Sequence, residues 1–177
     1  MIRSVKKAEA MKFKRVKGVH DIYGPEVRLY QRIEDLSREV FRLYGFSEIR
    51  LPLIEYTELF QRSIGETTDI VEKEMYTFND KAGRSITLRP EGTAGAVRAY
   101  IENGLYNLPS PQKFYYMGPM FRYERPQAGR YRQFHQIGVE AFGVAQPLMD
   151  VEIILLLRTL LIRLGFENLT IELNSIG

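Results

Sequence analysis

Between Pro25 and Gly45, apolar side chains recur at Tyr30, Ile33, Leu36, Val40, Phe41 and Tyr44. Those steps predict an amphipathic helix, with proline preset for its first turn and glycine as its stop. Residues 46–54 (FSEIRLPLI) read as a strand, and Pro52, lacking an amide donor, points to an edge or interface position. A short helix fits 57–63. MYTFND and GRSITLR predict a hairpin around Lys81-Ala82-Gly83. A helix from Thr93 closes at Asn103-Gly104, and two longer strands, 112–123 and 133–143, flank an arginine-rich loop. Asp150 is suited to cap a helix to Leu164 that is apolar nearly all round and ends at Gly165. NLTIELN (168–174) reads as a last strand. Hairpin-joined strands with helices in separate blocks predict an α+β fold, an antiparallel sheet flanked by helices.

Bulk numbers narrow the class without naming a chemistry. A chain of 177 residues, 45% hydrophobic and 27% charged, is ordinary for one globular domain with a sizeable core. It contains no cysteine, which removes disulfides and thiolate metal sites and suits a cytoplasmic setting. The longest apolar run, IILLL at 153–157, is too short to span a bilayer, and residues 1–17 carry no apolar segment of signal-peptide length. The net charge of +3 is concentrated at the amino end, where residues 1–17 hold seven Lys/Arg against Glu9 alone. This divides the chain into a basic arm, 1–16, and a domain, 17–177, with Met11 as a possible natural start.

The chemistry concentrates in FRYERPQAGRYRQFHQIGVEAFG (121–143), with Arg122, Arg125, Arg130 and Arg132 in one short stretch. Strand alternation groups Gly118, Met120, Arg122 and Glu124 on one side, and Gln136, Gly138, Glu140 and Phe142 on one side of the following strand. If the two sides coincide, a glycine floor is ringed by Arg, Gln and two Glu, and glycine there admits a ligand close to the backbone. A forked guanidinium suits phosphate or carboxylate, while Gln136 and Glu140 are acceptors for an ammonium group. LRPEGTAGAVRAY (88–100) is a second cluster, in which Gly92 permits a sharp turn and Thr93 opens a helix. Glu91 on that turn is suited either to hold a ligand cation or to cap the helix. His20 and His135 have no metal-ligand spacing, and His135 falls on the opposite strand face from Gln136, a packing position. No Ser-His-Asp or phosphate-loop pattern is present.

Three stretches together resemble the histidyl-tRNA synthetase family of class II aminoacyl-tRNA synthetases. YGFSEIRLPLIEYTELFQRS is similar to the first class II motif, TLRPEGTAGAVRAYIENG to the family's amino-acid-binding turn, and MGPMFRYERPQAGRYRQFHQIGVEAFG to the second motif and its following strand. The resemblance implies ATP-dependent formation of histidyl-adenylate, with Mg2+ accompanying ATP, and transfer to tRNA(His). It implies Arg122 as the catalytic arginine on the α-phosphate and the histidine carboxylate, Glu124 on the adenine amino group, Phe134 stacked on adenine, and Arg130 on the γ-phosphate. Glu91, Gly92, Thr93, Gln136 and Glu140 would line the histidine pocket. It also implies a homodimer through the first motif around Pro52.

The third class II motif, the histidine-specific RGLDYY-like segment and the anticodon-binding domain are missing from the 177 residues, so the chain reads as an amino-terminal fragment of a catalytic domain, partly or wholly inactive alone. The rival within the same fold is the non-catalytic regulatory subunit of ATP phosphoribosyltransferase, which has no need of an ATP-binding loop. A general nucleic-acid-binding module is disfavoured by Glu124 and Glu140 on the candidate face.

Overall fold

The computed structural model describes residues 13–65, 74–125, 127 and 129–174. Most of the basic arm and Pro126 of the arginine loop lie outside that set. The elements run α1 (Pro25–Leu43), β1 (Ser47–Glu48), β2 (Ile54–Tyr56), α2 (Thr57–Ile64), β3 (Tyr76–Asn79), β4 (Ser85–Leu88), α3 (Thr93–Glu102), β5 (Gln112–Phe121), β6 (Gln133–Phe142) and α4 (Pro147–Arg163). The strands make two three-stranded sheets, ordered β1-β5-β6 and β2-β4-β3. All pairings are antiparallel except the short parallel contact of β1 with β5. The α+β reading holds.

The anticipated glycine stops act through one mechanism. After α1, Gly45 takes a φ of 75°, which lets its amide reach Arg42 O and the Phe46 amide reach Phe41 O. Gly165 does the same after α4, with a φ of 95° and bonds from Gly165 to Ile162 O and Phe166 to Leu161 O. Both are Schellman caps, which satisfy orphan carbonyls only if one residue enters the left-handed region.

Three sequence expectations need correction. The strand expected over 46–54 is two strands in different sheets: β1 pairs with β5 and β2 with β4. Pro52, with no amide for a ladder, sits where the chain leaves one sheet for the other. Second, α4 begins at Pro147 with Gln146 as its N-cap, so Asp150 lies in the first turn and acts on the helix dipole rather than as the cap. Third, residues 168–174 join no strand; Leu169, Ile171 and Leu173 run along α4 and line a groove with Ile154, Leu157 and Leu161. An apolar alternating segment becomes a strand only where an edge with free amides lies beside it.

Apolar side chains fill both faces of the β5–β6 ribbon. On one face Tyr115, Met117, Ile137 and Val139 pack against Val40 and Phe41 of α1, Phe46, and Leu156 and Leu160 of α4. On the other, Tyr116 and Met120 meet Ala96 of α3, with Leu51, Phe134 and Phe142 around them. Buried Ala94, Gly95, Ala96 and Ala99 give α3 a flat side that seats close to the strands. Among the described residues no helix is long and apolar enough to cross a membrane.

Arg89 joins the two sheets. Its side chain is buried, donating from Nε to Pro119 O at 2.9 Å and from Nη1 to Leu51 O at 3.0 Å. Its backbone amide bonds Leu53 O and its carbonyl accepts from the Phe121 amide, both at 2.9 Å. Burial pulls the guanidinium below its ordinary pKa, opposed by the Tyr116 and Glu55 oxygens nearby. Replacing Arg89 with Met strands the Leu51 and Pro119 carbonyls, and urea unfolding is expected to show a loss of about 3 kcal/mol. Arg89→Lys recovers only part of it, because one ammonium lacks the fork that spans both acceptors.

Candidate active site

The site is assembled where three chain segments meet: the turn before α3, the end of β5 and the outward face of β6. In the β5–β6 ladder Gly118 lies opposite Gln136, Tyr116 opposite Gly138, and Phe114 opposite Glu140. Directly paired residues of an antiparallel ladder share a face, so the two alternating sets do coincide.

The glycine floor, however, is not open. Tyr116, only 2% exposed, lays its ring across it. A Cβ at Gly138 would come within 2.3 Å of Tyr116 Cζ, and one at Gly92 within 2.2 Å of Cε2. Gly92 itself has a φ of −107°, which any residue adopts, so this glycine is required for space rather than for a sharp turn. Gly118 makes room for a different group, since a Cβ there would lie 2.6 Å from Arg89 Nη2. The side-chain pattern located the face but missed Tyr116. The alternation through Met120 and Gly118 extends to it, and its size was the signal.

The Glu91 carboxylate caps α3. Oε2 accepts from the Thr93 amide and Oε1 from the Ala94 amide at 2.9 Å. This is the capping alternative, and it keeps a negative charge at the positive end of a helix while leaving lone pairs on both oxygens. Next to it the Thr93 hydroxyl faces Tyr116 and Glu140, and Tyr116 Oη donates to Glu140 Oε1 at 3.4 Å. Burial pushes the Glu140 carboxyl up; its bonds from Thr93 and Tyr116 oppose this, and the Glu91 charge adds to it. Burial likewise drives the Tyr116 hydroxyl up to about 12. Among the described residues neither carboxylate has a cationic partner, so the pair forms a small anionic patch. A cleft of about 460 Å³ between α2 and α3 opens on Glu91 and Thr93, with Leu59, Arg62 and Val97 also in its wall.

At the loop end, Arg122 Nε donates to Pro90 O at 2.9 Å, and its guanidinium carbon lies 5.2 Å from the centre of the Phe134 ring. The turn carrying Glu91 therefore also orients Arg122. Glu124 Oε2 and Gln136 Oε1 are buried and have no hydrogen-bond partner among the described residues. Arg130 Nη1 lies 3.5 Å from Glu124 Oε2, near enough for attraction but not aligned as a hydrogen bond. Arg132 serves the scaffold instead: it lies over the Tyr123 ring at 3.9 Å and donates from Nε to Glu124 O. The His135 ring meets Tyr30 edge-on, and the His20 ring meets Tyr131 in the same way.

The histidyl-tRNA synthetase family model matches residues 18–177. The histidine–tRNA ligase of Thermodesulfovibrio yellowstonii is 58% identical over 167 residues, 94% of this chain and 40% of that protein. That of Aquifex aeolicus is 56% identical over 94% of this chain and 41% of its own length. The chain thus spans about 40% of the length of the curated relatives it matches. Among solved structures, apo histidyl-tRNA synthetase from S. aureus superposes with a TM-score of 0.74 at 42% identity, covering 86% of this chain and 35% of that one. A Bacillus halodurans structure titled ATP phosphoribosyltransferase regulatory subunit/histidyl-tRNA synthetase gives a TM-score of 0.75 at 26% identity, covering 88% of this chain and 39% of that one.

Two outcomes follow from the packing and the charge. Gly138→Ala forces the Tyr116 ring out of its slot and is expected to destabilise by about 1–3 kcal/mol in urea unfolding. Because the Glu140 carboxyl is raised on folding, the folded state binds that proton more tightly than the unfolded chain. Its contribution to stability therefore falls as pH rises through the carboxylate range up to the folded value. Glu140→Gln is expected to melt above wild type at pH 8, and the gap should close as the pH is lowered through that range.

Proposed function

The chain belongs to the histidyl-tRNA synthetase family, and from that premise we propose that it carries the ATP- and histidine-binding half-site of a histidine–tRNA ligase. The reaction assigned has two steps. The histidine carboxylate attacks the α-phosphorus of ATP, displacing pyrophosphate and leaving histidyl-adenylate. The acyl group then passes to the terminal ribose of tRNA(His), and AMP departs.

The observation that carries this reading is the pair of buried acceptors without donors, Glu124 Oε2 and Gln136 Oε1. Burying an acceptor without a hydrogen bond costs about 1–3 kcal/mol, which the Arg130 charge offsets in part at Glu124, so each atom supports a donor brought by a ligand. Glu124 is assigned to the adenine amino group, with Phe134 stacked on the base, and Gln136 to the histidine ammonium. Glu91, Glu140 and Thr93 complete the ammonium end, where the uncompensated negative charge favours a cation, and Gly92 forms the adjoining wall. Arg122 is assigned to the α-phosphate and the amino-acid carboxylate. Arg130, 62% exposed at the side chain, is assigned to the γ-phosphate. Catalysis on this reading is positioning and charge stabilisation, with no enzyme nucleophile.

Magnesium is expected with ATP. Among the described residues no group of three or more His, Cys, Asp or Glu side chains is arranged to hold a metal ion, so no step is routed through Mg2+ here. Residues 17–177 are assigned to the amino-terminal part of the catalytic domain, and the protein to the cytoplasm. Leu53, Ile54 and Tyr56, exposed beside Pro52, support a homodimer through that region. Complete aminoacylation is assigned to a protein of the relatives' full length, and the isolated chain to weak ligand binding. The regulatory-subunit reading is less well supported, because a non-catalytic partner has no need of an ATP-binding loop carrying Arg122, Glu124 and Arg130.

ATP–pyrophosphate exchange with histidine in the full-length gene product tests the assignment. Arg122→Ala is expected to lower the exchange rate by on the order of 10²–10³ with an unchanged thermal melt. Wild-type-like exchange in that variant would sink the role of Arg122, and no exchange in the unaltered protein would favour the regulatory subunit.

A further inference from the structure

Tyr116 does more than fill a slot. Its ring is enclosed by Gly92 and Gly138, and phenylalanine would fill the same volume with the same carbons. Packing alone therefore does not account for the hydroxyl, which is carried into a buried position where an unused polar group is costly. The hydroxyl is placed between Thr93, at the start of α3, and Glu140, on β6. It stands between the helix side of the pocket and the strand side.

We propose that Tyr116 is a positioning residue of this site, whose hydroxyl holds Glu140 Oε1 and so sets the orientation in which the Glu140 carboxylate meets the ammonium end of an amino-acid substrate. This rests on the reading of the site as an amino-acid pocket and adds to it a residue that touches neither ATP nor the reacting atoms. The 3.4 Å separation is longer than an optimal O–H···O bond, as hydrogen bonds in sites without substrate often are. With its own proton held to about 12, Tyr116 donates throughout the range in which Glu140 titrates. Its bond favours the charged form of Glu140, against burial and the Glu91 carboxylate. Without the hydroxyl, Glu140 protonates at higher pH and its orientation is no longer pinned.

The test is isothermal titration of histidine, with ATP as the control ligand, into the full-length protein and its Tyr116→Phe variant across a series of pH values. The variant is expected to bind histidine about 10-fold more weakly near neutral pH, the loss typical of a hydrogen bond to a charged group, with ATP affinity unchanged. The rise of histidine affinity with pH should also shift to higher pH relative to wild type, a displacement that the substrate's own titration, common to both proteins, does not produce. Equal histidine affinity and an unshifted profile in Tyr116→Phe overturn the inference while leaving the amino-acid pocket in place. Failure of the unaltered protein to bind histidine overturns the pocket reading itself. Where Tyr116→Phe melts below the assay temperature, the titrations are repeated below its melting point, and the same weakening and the same alkaline displacement are required there.

Discussion

One buried guanidinium holds the two sheets in register with each other. Arg89 bonds Leu51 O and Pro119 O through its side chain, and Leu53 O and the Phe121 amide through its backbone. A charge placed in that position survives because its planar fork fits two carbonyl acceptors at once. The next residue, Pro90, offers its carbonyl to Arg122. The junction between the sheets and the orientation of the candidate catalytic arginine are thus one continuous piece of hydrogen-bonded chain.

The pocket is built by the same economy of neighbouring residues. Glu91 caps α3 with both oxygens, Gly92 yields space to the Tyr116 ring, and Thr93 contributes a hydroxyl to Tyr116 and Glu140. Three consecutive residues therefore meet three different physical demands: helix-dipole charge, absence of a side chain, and a small rotatable donor. On the facing strand, Gly138 completes the slot and Gln136 and Glu140 flank it. Gln136 Oε1 and Glu124 Oε2 lie buried there without a hydrogen-bond donor among the described residues. Three of the four loop arginines divide correspondingly. Arg132 ties the loop to its own backbone, while Arg122 and Arg130 face Phe134 and Glu124.

Local periodicity was enough to find α1, α2, α3, the β3–β4 hairpin and the β5–β6 ribbon, because each buries one stripe whose spacing is written in neighbouring residues. It was also enough to place Gln136, Gly138 and Glu140 on a common face and His135 on the other. It misread 46–54 as one strand, since a proline says that a ladder breaks but not where the chain goes next. It read 168–174 as a strand, since alternation cannot report whether a partner edge is within reach.

What the residues determined by themselves was the set of groups available: forked cations, carboxylates and an amide around small residues, with the nucleotide and amino-acid roles coming only from the family resemblance. Whether Glu91 capped a helix or stood free, whether the glycine floor was open or filled, and which arginine served the scaffold were decided only in three dimensions. Each depends on a contact between segments tens of residues apart, such as Tyr116 with Gly92 and Gly138 or Arg122 with Pro90. Side-chain type is a local property, but burial and partnership belong to the packed chain.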